Sequence, residues 1–206
     1  MPAQTRPSTP NPDPSPSSYV DPARAAQLYR EAKAPQRHAG RTQLVGAPWL
    51  AALAQLSDRL GAGFLVALCG PRGTGKTQLA ESVIRVASDR GTPSRYIHIM
   101  LFLMAVKGAY GNDAERSEAA VVSEFIRPAL LVIDEIQERG DTPWENRLLS
   151  YMIDRRYSSG RDTLLIANLL PDSLINSLGD SIVSRMSETG GIIECTWPSY
   201  REKSNV

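Results

Sequence analysis

Eight residues, Gly70-Pro71-Arg72-Gly73-Thr74-Gly75-Lys76-Thr77, constrain this chain more than any other stretch. They follow the unbroken apolar run Phe64–Cys69 and open the helical periodicity of Thr77–Ser88. Strand, glycine-rich turn and helix in that order belong to a parallel α/β sheet covered on both faces. Glycines at 70, 73 and 75 permit positive φ and close backbone approach, so successive N–H groups can converge on phosphate oxygens. The helix N-terminus adds its partial positive charge. The pattern predicts that Gly70 through Gln78 hold a nucleoside triphosphate, ATP in the first place, together with Mg²⁺. In that reading Lys76 reaches the β- and γ-phosphates and the Thr77 hydroxyl coordinates the ion.

The rest of the chain supplies the matching sheet. Short β-rich or apolar runs at Arg95–Ile99, Ala129–Ile133, Thr163–Ala167 and Gly191–Trp197 predict four more strands. Helical periodicity lies between them at 100–110, 117–127, 144–157 and 172–186. This alternation predicts a five-stranded parallel sheet with helices on both faces.

A second chemical motif ends the Ala129–Ile133 run. Leu130-Leu131-Val132-Ile133-Asp134-Glu135 delivers Asp134 at the C-terminal edge of a strand, where it can hold Mg²⁺ through water. Glu135 is then placed to act as base toward an attacking water, which favours hydrolysis over simple binding. Asn168 follows the next strand, where its amide can orient that water.

The 206 residues suffice for one well-buried domain with a short appendage. Residues 1–18 hold six prolines and almost nothing apolar, which predicts disorder. Asp21-Pro22 opens a helix with Ala25, Leu28, Tyr29 and Ala32 on one face. Residues 19–45 are thus expected to form a helical arm, packed on its own domain or docking a partner, with the ATPase domain over 46–206. Cys69 and Cys195 sit in apolar runs and are expected to be buried free thiols. No apolar run reaches membrane-spanning length and no leader is visible, which points to the cytoplasm. The net charge of +1 makes no bulk case for nucleic acid; Arg95, Lys107 and Arg116 are possible DNA contacts or ordinary surface charges.

From about Ala34 to Arg201 these residues resemble the DnaC/IstB-like AAA+ ATPases, the helicase loaders and transposition helpers. The loop Gly70–Leu79 and the strand Leu131–Glu135 match that pattern, and Asn168 corresponds to its sensor 1. Leu178-Gly179-Asp180-Ser181-Ile182-Val183-Ser184-Arg185-Met186 looks like the segment that ends in the family's arginine finger. The resemblance therefore implies a homo-oligomer in which Arg185 reaches a neighbour's γ-phosphate. Trp197-Pro198-Ser199-Tyr200-Arg201 is similar to the closing W-x-S-Y-R, making Arg201 a sensor 2 candidate, and Arg155-Arg156-Tyr157 also has a counterpart in the family. It also implies an AAA+ core without a C-terminal helical lid, a replicative DNA helicase and single-stranded DNA as partners, and a bacterial or phage setting. In the family an N-terminal domain, zinc-binding in some members, grips the helicase; the roughly 45 residues before the core here hold no cysteine and offer at most one helix for docking.

The leading expectation is an ATP-hydrolysing replication factor that loads a helicase. A transposition helper and an ATP-binding adaptor with little turnover stand beside it. A small-molecule kinase using Arg155, Arg156 and Arg161 as a lid is the remaining alternative.

Overall fold

The structure, a computed structural model, describes residues 20–38, 46–110 and 116–200. The stretch expected to be disordered, 1–18, and Arg201 lie outside the described residues.

Five parallel strands form the sheet: β1 (Leu65–Cys69), β2 (Ser94–His98), β3 (Leu130–Asp134), β4 (Asp162–Ile166) and β5 (Gly191–Glu194), in the order β2-β3-β4-β1-β5. The three central strands are buried along their whole length, which is why β1 and β3 as far as Ile133 read as unbroken apolar runs, whereas β4 opens on the buried polar pair Asp162 and Thr163. Alternation within them feeds two separate cores. Leu65, Ala67, Leu131, Ile133 and Leu165 face one side, whereas Val66, Leu68, Leu130, Val132, Leu164 and Ile166 face the other.

Three helices cover the second face: α1 (Pro22–Glu31), α2 (Ala47–Asp58) and α3 (Lys76–Asp89). Five cover the first: α4 (Ile99–Lys107), α5 (Glu118–Ile126), α6 (Pro143–Ser158), α7 (Pro171–Leu178) and α8 (Asp180–Thr189). α1 is capped by the Asp21 side chain and begins with Pro22, as its sequence predicts. Its apolar face, Ala25 and Leu28, is buried, and just beyond it the Ala32 carbonyl accepts from Tyr96 N at 2.7 Å. The arm thus covers part of the exposed edge of β2.

The periodicity over 172–186 predicts one helix, yet the structure holds two. Gly179, at φ 77° and ψ 158°, breaks the helix between α7 and α8.

Arg156 is fully buried in α6 and fastens the base of the sheet. Its guanidinium donates to Thr163 Oγ1 (2.9 Å) and to the carbonyls of Phe125, Ile126, Pro128, Ala129 and Asp162. The Asp162 carboxylate accepts in turn from the N–H groups of Gly61, Gly63 and Phe64, at 2.6, 2.8 and 3.1 Å. The Arg161 guanidinium donates to the Arg127 carbonyl. Arg156 and Arg161 are therefore occupied with backbone carbonyls of the sheet's base, as a phosphate-clasping lid would not be.

Candidate nucleotide site

In a parallel sheet the C-terminal strand ends share one edge, and that edge collects the site. β1 leads into the glycine loop, β3 ends on Asp134, and Asn168 follows β4 two residues past its end. Gly70 adopts φ 126°, and a Cβ there would lie 2.7 Å from the Cys195 carbonyl. No other residue fits this crossing of loop and C-terminal segment. Gly73 and Gly75 also take positive φ, at 89° and 81°. Gly75 caps α3 without a side-chain acceptor, and the first turn of α3 contains no acidic residue. These amides are arranged for an anion from outside the chain.

The Lys76 ammonium is buried and folds back onto the loop, donating to the Gly70 and Pro71 carbonyls at 2.7 Å each. Burial pulls its pKa down, while nearby Cys195, Glu135 and Asp134 pull it up. Arg72 is exposed on the loop, and Gln78, buried in the first turn of α3, donates to Glu81 at 3.3 Å. Thr77 Oγ1 donates to Asp134 Oδ2 at 2.9 Å, and Glu135 N donates to Asp134 Oδ1 at 2.8 Å.

Glu135 sits in the left-handed region at φ 55° and ψ 46°, a conformation that costs a non-glycine residue about 1–3 kcal/mol. In that pose its Oε2 accepts from Asn168 Nδ2 at 2.5 Å and from Gln137 Nε2. Gln137 Oε1 accepts from Asn168 N at 3.0 Å.

The loop is also held from outside. Trp197 Nε1 donates to the Thr74 carbonyl at 2.6 Å, Tyr200 N to the Gly73 carbonyl at 2.9 Å, and Trp49 Nε1 reaches the Gly75 carbonyl at 3.5 Å.

The donors fit a magnesium–nucleotide pair. Among the described residues no group of three or more His, Cys, Asp or Glu could hold a metal alone. The hard oxygens of Thr77 and Asp134 are of the kind that would hold Mg²⁺ beside phosphates and water.

The structure therefore brings together Gly70 through Thr77, Asp134, Glu135 and Asn168. It does not bring Arg185 to them. Arg185 lies on α8, donating to the Ser181 carbonyl at 2.8 Å and to Asp154 of α6, with its guanidinium 5.5 Å from the Tyr157 ring centre. Two residues absent from the sequence expectations join the site, Gln137 and Tyr96. The Tyr96 hydroxyl donates to Asp134 Oδ2. Gln137 carried a weak signal, as a polar residue just past Glu135; Tyr96 carried none until β2 was known to lie beside β3.

The candidate DNA contacts are engaged within the chain. The Arg95 guanidinium lies 5.6 Å from the Phe125 ring centre, Lys107 lies 5.1 Å from that of Trp144, and Arg116 pairs with Glu124 at 2.5 Å. Cys69 and Cys195 are free and buried, and burial pushes their thiols up to about 11 and about 12. No helix among the described residues is long and apolar enough to cross a membrane.

Comparison with known proteins agrees with this geometry. The replicative helicase loader DnaC of Escherichia coli is 29% identical over 135 residues, covering 65% of this chain and 55% of that protein. A Mycobacterium tuberculosis protein named for ATP binding and for its insertion sequence is 28% identical over 149 residues, 70% of this chain and 58% of that one. The chain thus spans little more than half the length of these curated relatives. A solved DnaC helicase loader superposes with a TM-score of 0.65 at 19% identity, covering 78% of this chain and 99% of that one, a likeness of fold. Residues 49–206 match the IstB-like ATP binding proteins, and the chain, an α/β P-loop protein of the AAA+ type, belongs to that family.

Proposed function

We propose that this chain hydrolyses ATP with Mg²⁺ and couples that turnover to its own assembly on DNA. The observation that carries the proposal is the bonded constellation of Thr77, Asp134, Glu135 and Asn168 beside an uncapped glycine loop. Lys76 exchanges the Gly70 and Pro71 carbonyls for phosphate oxygens. Glu135 takes the proton of a water that Asn168 helps to orient. When bound, Mg²⁺ neutralises charge on the phosphate oxygens. Arg185 completes the site of a neighbouring copy, a reading that rests on the resemblance of Leu178–Met186 to the family's arginine-finger segment and requires Arg185 to leave Asp154 and Ser181. Arg201 is proposed as sensor 2 on the resemblance alone.

The test is turnover by purified protein, with and without single-stranded DNA. Lys76→Ala should abolish nucleotide binding. Arg185→Ala should leave binding intact and remove the rise in specific activity with protein concentration. Normal concentration-dependent turnover by Arg185→Ala would sink the trans assignment, and absence of turnover with DNA and partner present would favour an ATP-binding adaptor.

The partner is proposed to be a replicative helicase in the cytoplasm of a bacterium or of a phage's host, supported by the match to DnaC. A transposition helper is the second reading, favoured by the IstB-like family match and by the insertion-sequence relative. Co-elution with a replicative helicase or with a transposase, in the presence of ATP, separates the two.

A further inference from the structure

We infer that Tyr96 is a positioning residue that orients Asp134 for the divalent ion and ties that orientation to the seating of helix α1. The inference rests on the magnesium–nucleotide reading of the site.

Three observations meet at this side chain. First, the Tyr96 hydroxyl donates to Asp134 Oδ2, the same oxygen that accepts from Thr77 at 2.9 Å, while Oδ1 accepts from Glu135 N at 2.8 Å. Both ends of the carboxylate are therefore held. Second, the contact follows from the sheet register. Tyr96 pairs with Val132, two residues before Asp134, so both side chains leave the same face and the phenol spans the diagonal. Third, Tyr96 is itself held by the arm. Its N–H donates to the Ala32 carbonyl at 2.7 Å, and its ring packs against the core that includes Ala32 and, at its margin, Tyr29 and Ala34.

A continuous path thus runs from Ala32 through Tyr96 to Asp134 and Thr77. A carboxylate already aimed loses less freedom on meeting its ion, and partners of metal ligands act through such orientation. Displacing α1 from β2 would shift the phenol, and the effect would be read at Asp134. A tyrosine that merely filled the edge of the core would leave ion binding unchanged once its hydroxyl was removed.

The experiment measures binding of a fluorescent ATP analogue to the full chain while Mg²⁺ is titrated, with a chelator series as the ion-free limit. Tyr96→Phe keeps the ring and the backbone bond. It should raise the Mg²⁺ concentration at half-effect about 10-fold, with ion-free affinity unchanged. Leu28→Ala, or the milder Leu28→Val if yield falls, loosens α1 and should raise the midpoint in the wild-type background, yet add nothing to Tyr96→Phe. An unaltered midpoint in Tyr96→Phe, or an equal loss with and without Mg²⁺, overturns the positioning role. Additive shifts in the double variant overturn the link to α1. A wild-type chain that binds the analogue without any response to Mg²⁺ overturns the site reading, and this inference with it.

Discussion

Gln137 uses both ends of one amide on the site, donating from Nε2 to Glu135 and accepting at Oε1 from Asn168 N. An amide so placed keeps Glu135, the proposed base, and Asn168, proposed to orient the water, at a fixed separation, although it need not touch substrate. Misplacing a catalytic group by an ångström can cost about 100-fold in rate. Gln137→Ala is therefore expected to lower kcat by about 10- to 100-fold while the affinity for a non-hydrolysed nucleotide stays level. Steady-state kinetics beside equilibrium binding would check this, and parallel loss in both would show that Gln137 serves the fold instead. Lys76 belongs to the same scale. A buried ammonium needs acceptors, and the Gly70 and Pro71 carbonyls supply them, a place that phosphate oxygens take in the proposed reading.

Among the elements, α6 carries the main structural cation. Burial pulls the pKa of Arg156 down to about 9, and carbonyls from α5, the turn before β3 and the start of β4 solvate it in place of water. Arg156→Met keeps the stem but strands these acceptors. Stability should fall by about 3–5 kcal/mol in urea unfolding, while the protein that remains folded binds nucleotide normally. The elements also show what could be read beforehand. The central strands and the loop–helix junction were legible because two-sided burial demands unbroken apolar runs and phosphate binding demands glycine. The break at Gly179 was hidden, because Leu174, Leu178, Ile182 and Met186 recur every four residues straight across it and all enter one core. Asp134, Glu135 and Asn168 were legible from their places after strands. Tyr96 was not, since its role depends on which strand lies beside β3, and neither was the burial of Arg156, which the sequence offered only as a family counterpart or part of a lid.

At the scale of the whole molecule, the glycine loop connects distant parts of the chain. α2 reaches it through Trp49, and the segment after β5 reaches it through Trp197 and Tyr200. If Arg185 serves a neighbour, specific activity will rise with protein concentration, and this loop will be where each copy registers the next. Two of the chain's three tryptophans donate their indole N–H groups to carbonyls of the loop, and the third, Trp144, lies on α6. The loop therefore has a built-in optical reporter. Adding nucleotide to the unlabelled protein should change the tryptophan emission spectrum, and replacing Trp197 with Phe should remove most of that change. Replacing Trp144 with Phe should leave it in place. Stopped-flow fluorescence would then time the loop's response without any dye, and a signal insensitive to replacement of both Trp197 and Trp49 would show that neither indole reports on the loop.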